Sequence, residues 1–341
     1  MALDGTGYFS SQTIHCASCL HKVPRNGSST YYHHMLGAAI IHPDRRAVIP
    51  LMPAPIVKQD GTAKNDGERK AATRFLVKLR QAHPHLTFMV TEDSLSANAP
   101  HIETLHAQGL HDILGVKEGE HGSLFQQVQV AEHRGYGTSY ERQDRDAGLV
   151  HRVRCVTDVP RNESHAEVRV HCIESWDIGA DSVQHLSWVT DLRVSQRNVS
   201  HLMRGGRARW KMENETLNTL NNHGYHCEHN DGHGMYHLSV VFAVGMLLAF
   251  LVDQPPQLCC ALCQAVWTKM GRKRLLWERL RALFSDYDLD AMRALFEALF
   301  DGLEKPHPIL TMDTSETPWV SLTCLLHTSM SSYRQGLCLP Q

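Results

Sequence analysis

The chain has 341 residues, 42% apolar and 21% charged, a composition that fits a soluble globular protein of one large domain with an insertion, or of two domains. Lysine and arginine total 34 against 36 aspartate and glutamate, so net charge neither demands nor excludes a nucleic-acid partner and the clustering of charge must decide. The start MALDGTGYFSS has no basic region leading into an apolar run, and the longest apolar run, Ser239–Val252, is 14 residues; neither a signal peptide nor a membrane span is expected, and the ten cysteines read as reduced thiols of a cytoplasmic protein.

Ala2-Leu3-Asp4-Gly5 runs from apolar residues into an aspartate and a glycine turn, which predicts a short strand whose end presents the Asp4 carboxylate. Tyr31–His42 and Ala47–Ile56 read as two further strands around the turn Pro43-Asp44-Arg45-Arg46. A helix is predicted over Glu68–Ala82, with Ala71, Ala72, Phe75, Leu76 and Leu79 at helical spacing and with Asp66 and Glu68 as capping residues. Leu86–Thr91 is a short apolar strand leading into Glu92-Asp93, so a second carboxylate stands at a strand end. Asn98–Gln108 reads as a helix entered by Pro100, and Asp112–Lys117 as the next strand.

From about 118 the composition turns to Gly, His, Gln and Arg, and strands follow at Val150–Val156, Glu167–Trp176 and Val183–Leu192. This predicts a mainly β insertion over 118–191, placed inside a core formed by 1–117 and 192–254. A helical region is expected over 255–304, and a poorly packed tail with four prolines over 305–341.

Arg204–Asn222 carries the most chemistry. At helical spacing Trp210, Glu213, Leu217 and Leu220 share a stripe, so Glu213 lies among apolar neighbours and must be paired, protonated or bound to a cation. Arg209 stands one turn earlier and can pair with it across i, i+4; a plain surface ion pair is the alternative. Arg197, Arg204, Arg207, Arg209 and Lys211 form a dense basic run suited to backbone phosphates, or else a solvated helix face.

Three strands, helix, strand with aspartate, helix, strand, β insertion and a helix with glutamate together resemble the ribonuclease-H-like core of DDE transposases from bacterial insertion sequences. The resemblance is carried by Asp4-Gly5-Thr6-Gly7-Tyr8-Phe9-Ser10-Ser11, Thr91-Glu92-Asp93-Ser94, Ser187-Trp188-Val189-Thr190-Asp191-Leu192 and Arg207-Ala208-Arg209-Trp210-Lys211-Met212-Glu213-Asn214. It implies an α/β fold with a ribonuclease-H-like mixed sheet, flanking helices and a helical C-terminal part. It also implies catalytic, metal-binding roles for Asp4, Asp93 and Glu213, and two Mg²⁺ or Mn²⁺ ions for cleavage and transfer of DNA strands. Transposon ends and target DNA would be the partners, in a homodimer, with Trp188 or Trp176 as candidates to stack on a displaced base. Two departures stand out. Leu220, Asn221 and Asn222 occupy the region where many relatives place a lysine. The helical DNA-binding region that usually precedes the first aspartate is missing, which suggests a truncated copy or a misplaced start.

Two other readings compete. The same fold could serve as a stand-alone nuclease or DNA-binding remnant. A zinc-stabilised interaction protein would instead be built on Cys16-x-x-Cys19 with His15 and His21, or on His223, His226, Cys227, His229, His233 and His237. Cys259, Cys260 and Cys263 on a predicted helix read as buried thiols rather than ligands.

Overall fold

The computed structural model describes residues 1–23, 27, 29–60, 64–144, 148–229, 232–233, 237–286 and 291–302, without the side chains of 64–66. The first part holds β1 (Ala2–Ser11), β2 (Leu20–Lys22), β3 (Thr30–His42), β4 (Arg45–Pro50), β5 (Ala54–Ile56), α1 (Lys64–Ala82), β6 (Met89–Glu92), α2 (Ala99–Ala107) and β7 (His111–Gly115). One mixed sheet runs β2-β3-β1-β6-β7-β11-β10-β9-β8, with β4 and β5 also pairing β3. β1, β6 and β7 are parallel neighbours, and parallel neighbours need crossovers, which α1 and α2 supply. The path β4-β3-β1-β6-β7 is the ribonuclease-H-like arrangement expected from the order of elements.

Local chemistry places these elements. Ala71, Ala72, Phe75, Leu76 and Leu79 of α1 are all buried, as their spacing predicts. At the start of α2, Asn98 accepts a hydrogen bond from the His101 N–H, and Pro100 sits in the first turn, where its missing N–H costs nothing. Two boundaries differ from expectation. β1 is ten residues long rather than cut short at Asp4. α1 begins at Lys64, so Glu68 lies inside the helix instead of capping it, and the capping role given to Asp66 falls outside the described side chains.

Residues 118–191 contain α3 (Gly122–His133), β8 (Gly137–Asp144), β9 (Leu149–Asn162), β10 (His165–Ile178) and β11 (Val183–Thr190). The three expected strands are present; β9 and β10 are longer than expected, and β11 ends two residues earlier, at Thr190. They continue the core sheet: β11 pairs antiparallel with β7, Trp188 opposite Gly115 and Thr190 opposite Ile113. α3 has no counterpart among the expected elements, because its Gly, Gln and His content hides the buried trio Leu124, Phe125 and Val128.

Next come α4 (Val199–Arg207), a π-helical stretch over Met212–Leu217, α5 (Asn218–Asn222), α6 (Leu238–Cys259), α7 (Ala261–Met270), α8 (Lys273–Asp286) and α9 (Met292–Asp301). α6 reaches beyond the expected apolar run because the helix continues through Pro255 and Pro256. At 22 residues and a mean hydropathy of 1.8 it is long and apolar enough to cross a membrane by length and composition alone, and 39% of its apolar window is buried in the protein. Its Asp253 is buried and accepts a hydrogen bond from the Tyr225 hydroxyl at 2.8 Å. The expected tail over 305–341 lies outside the described residues.

The chain divides into two compact units. One comprises Met1–Thr6, Met35–Arg46 and Ala54–Glu213; the other comprises Gly7–His34, Ala47–Pro53 and the described residues of Asn214–Gln341.

Candidate metal centre

In the first unit, β1 and β6 set the register of two carboxylates. Ala2 pairs with Thr91 in parallel, so Asp4, the third residue of β1, and Asp93, just past the end of β6, stand level with each other. Asp93 follows the last residue of β6, and its Oδ1 accepts from the Leu95 N–H at 3.1 Å, which fixes the side chain in a tight turn. α1 adds a third acid. Glu68 packs over Gly5: a Cβ there would lie 2.3 Å from its Oε1, so a larger residue beside Asp4 would push this carboxylate aside. Asp4, Glu68 and Asp93 line one pocket, with Leu3, Leu36 and Ala72 as its apolar wall.

The fourth acid comes from the helical region. Arg209 donates to Asp4 Oδ2 at 3.3 Å and pairs with Glu213 Oε1 at 2.8 Å, so one guanidinium joins both carboxylates. The expected i, i+4 pair is present. The inward stripe is not: Trp210 is 44% exposed and the Glu213 side chain 51% exposed. Over 212–220 the buried positions are Met212, Thr216, Thr219 and Leu220, so the buried face is turned away from the expected stripe and Glu213 sits at the rim.

Charge at this site is out of balance. The Asp4 side chain is 21% exposed, and its carboxyl is pushed up to about 6, first by burial and then by Glu213, Asp93 and Glu68; Arg209 pulls the other way and does not win. Glu92, although it reaches the same pocket, is engaged elsewhere: it is buried and bonded to His101 Nε2 at 2.7 Å. Burial works against a charge on His101, but Glu92 beside it raises its pKa above the usual value.

The remaining expected contacts have varied fates. Arg204 pairs with Asp44, and Arg207 with Asp177 at 2.7 Å. Lys211 is buried and donates to the His42, Pro43 and Arg45 carbonyls, so it ties down the β3–β4 turn and presents no charge to a phosphate. Arg197 is exposed. Trp188 is buried against Gly206, where it has no face open to a base. Trp176 stacks on His185 at 4.7 Å, with the Arg154 guanidinium 5.4 Å from the Trp176 ring.

The sequence did not point to Glu68 as a site residue, because an acid in a first helical turn has an ordinary explanation. Its only signal is Gly5, and that becomes legible once α1 is laid across β1.

No protein-family model matches the sequence, and no curated protein matches it. Among solved structures the chain is similar to the NurA nuclease from Sulfolobus solfataricus, with 13% identity over 60% of this chain and 70% of that one and a TM-score of 0.28.

Proposed function

We propose that this chain is a metal-dependent nuclease acting on DNA phosphodiester bonds, with Asp4, Glu68, Asp93 and Glu213 as its acidic set. The observation that carries this reading is the parallel register that sets Asp4 and Asp93 level with each other, with Glu68 over Gly5 and Arg209 spanning Asp4 and Glu213. The donor set fits a hard cation: every candidate ligand atom is a carboxylate oxygen, and the raised Asp4 pKa marks a place short of positive charge. Asp4, Glu68 and Asp93 would hold Mg²⁺ or Mn²⁺, and Glu213 would complete the set from the rim. A divalent ion there supplies charge to offset the phosphate and lowers the pKa of a bound water. Arg209 keeps Asp4 and Glu213 together, and its planar donors suit a phosphate oxygen once DNA arrives. Arg197, exposed just before α4, would be available to the DNA backbone.

The finer expectation, strand transfer by a DDE transposase at insertion-sequence ends, calls on the same acids, and one assay separates the two. The full chain is incubated with Mn²⁺ or Mg²⁺ and labelled DNA that either carries or lacks terminal inverted repeats. Cutting of both substrates, lost on removal of Mn²⁺ and Mg²⁺ and reduced roughly 100-fold or more in Asp4→Asn and Asp93→Asn, is the expected result. Joined products only from repeat-bearing DNA would assign strand transfer. Equal cutting by Asp4→Asn, or none by the parent chain with either ion, would overturn the proposal.

A further inference from the structure

In the second unit, four side chains from three separate stretches point their donor atoms at one another. Cys16 and Cys19 lie in the connection between β1 and β2, His33 lies on β3, and His233 precedes α6. Their ligating atoms all fall within 4.8 Å of one another. The Cys16 and Cys19 sulfurs are 3.7 Å apart and not bonded. His33 Nε2 is 3.7 Å from Cys16 Sγ and 3.3 Å from Cys19 Sγ. His233 Nδ1 is 3.6 Å from Cys19 Sγ and 3.4 Å from His33 Nε2.

These separations are the edges of a tetrahedron. Zinc bonds of about 2.3 Å to sulfur and about 2.0–2.1 Å to nitrogen give edges of roughly 3.8 Å between sulfurs, roughly 3.6 Å from sulfur to nitrogen and roughly 3.3 Å between nitrogens. Sets of hydrogen-bonded thiols and imidazoles have no reason to match all three lengths together. The surroundings fit as well. Cys19 and His33 are buried, and the Cys16 N–H donates to Cys19 Sγ at 3.3 Å, a bond that favours a thiolate. Tyr8 stacks on His33 at 5.7 Å and Phe9 meets His233 edge-on at 4.3 Å, so aromatic residues of β1 fix both imidazoles.

We propose that Cys16, Cys19, His33 and His233 bind a structural zinc ion. Four protein donors leave no open position, so the site is structural rather than catalytic. It closes one loop of 14 residues between Cys19 and His33 and another of 200 between His33 and His233, and so anchors the segment before α6 to the β1–β3 strands of the same unit. His15 and His21, the histidines next to the Cys-x-x-Cys motif, are not donors; both stack on Tyr31.

The test uses the full reduced chain. Metal analysis should give about one zinc per chain, and X-ray absorption should show a shell of two sulfurs and two nitrogens. Cobalt exchanged into the site should give a thiolate charge-transfer band and intense tetrahedral d–d bands. Zinc content should fall at least roughly tenfold in Cys16→Ser/Cys19→Ser, yet persist in Cys259→Ser/Cys260→Ser and in His233→Cys, which keeps a donor at the fourth position. If the double serine variant does not fold, the cobalt spectrum and the His233→Cys variant decide. Substoichiometric zinc after incubation with equimolar zinc, an all-oxygen shell, or full zinc in Cys16→Ser/Cys19→Ser would overturn the proposal.

Discussion

An aspartate that is mostly buried beside three other acids is easier to protonate than to ionise, and for Asp4 the balance shifts at about 6 instead of the usual 3.8. The consequence for stability has a definite sign. The folded chain holds this proton over a range where the unfolded chain has lost it, so stability from this group falls as pH rises from about 4 to about 6 and stays low above that. Without added Mg²⁺ or Mn²⁺, Asp4→Asn should therefore be more stable than the parent at pH 8, by on the order of 1–3 kcal/mol, with the gap closing as pH falls toward 4. Thermal melts of the two proteins side by side at each pH across that range check it. A gain in stability together with a loss of cutting is what a residue kept for chemistry should show.

At the scale of elements, the helix that carries Glu213 shows how far a periodicity can be trusted. Counting at 3.6 residues per turn correctly pairs Arg209 with Glu213, since that pair lies before most of the π stretch. The same counting misplaces the buried face: Met212, Thr216, Thr219 and Leu220 are buried, and of the expected stripe Trp210 and Glu213 are exposed and only Leu220 is fully inside. Sequence patterns do not announce a π turn. Just upstream, α4 is held by a close contact with Trp188 that Gly206 permits. A Cβ on Gly206 would lie 2.4 Å from Trp188 Nε1, so Gly206→Ala should cost roughly 1–3 kcal/mol as the indole is forced out of place. Gly205→Ala meets only the Ile113 Cδ1 at 3.0 Å and should cost less. Urea unfolding of the two variants gives the comparison directly.

Across the whole molecule, the ribonuclease-H-like sheet was legible because strands, helices and carboxylates come in a telling order along the chain. The sequence order groups Asp4, Asp93, Glu213 and Arg209, and the β1–β6 register and the Arg209 ion pairs bring them near one another, although Asp4 lies inside β1 and not at the strand end expected for it. Glu68 could not be found from that order, and nor could His33 as a partner of Cys16 and Cys19. Each owes its place to a contact made only once strands and helices have packed, and His33 lies on a strand with nothing nearby in sequence to mark it. Strands β9, β10 and β11 were legible as strands and β8 was not, and none was legible as part of the core sheet, because pairing partners 70 or more residues apart leave no local trace, as with Trp188 and Gly115.

Crystals of the chain soaked in Mn²⁺ and measured at the manganese absorption edge would test the acidic site most directly. The account predicts anomalous density among Asp4, Glu68 and Asp93 in the parent protein and its loss in Asp4→Asn/Asp93→Asn. Manganese bound only at other positions, or density unchanged in that double variant, would contradict it.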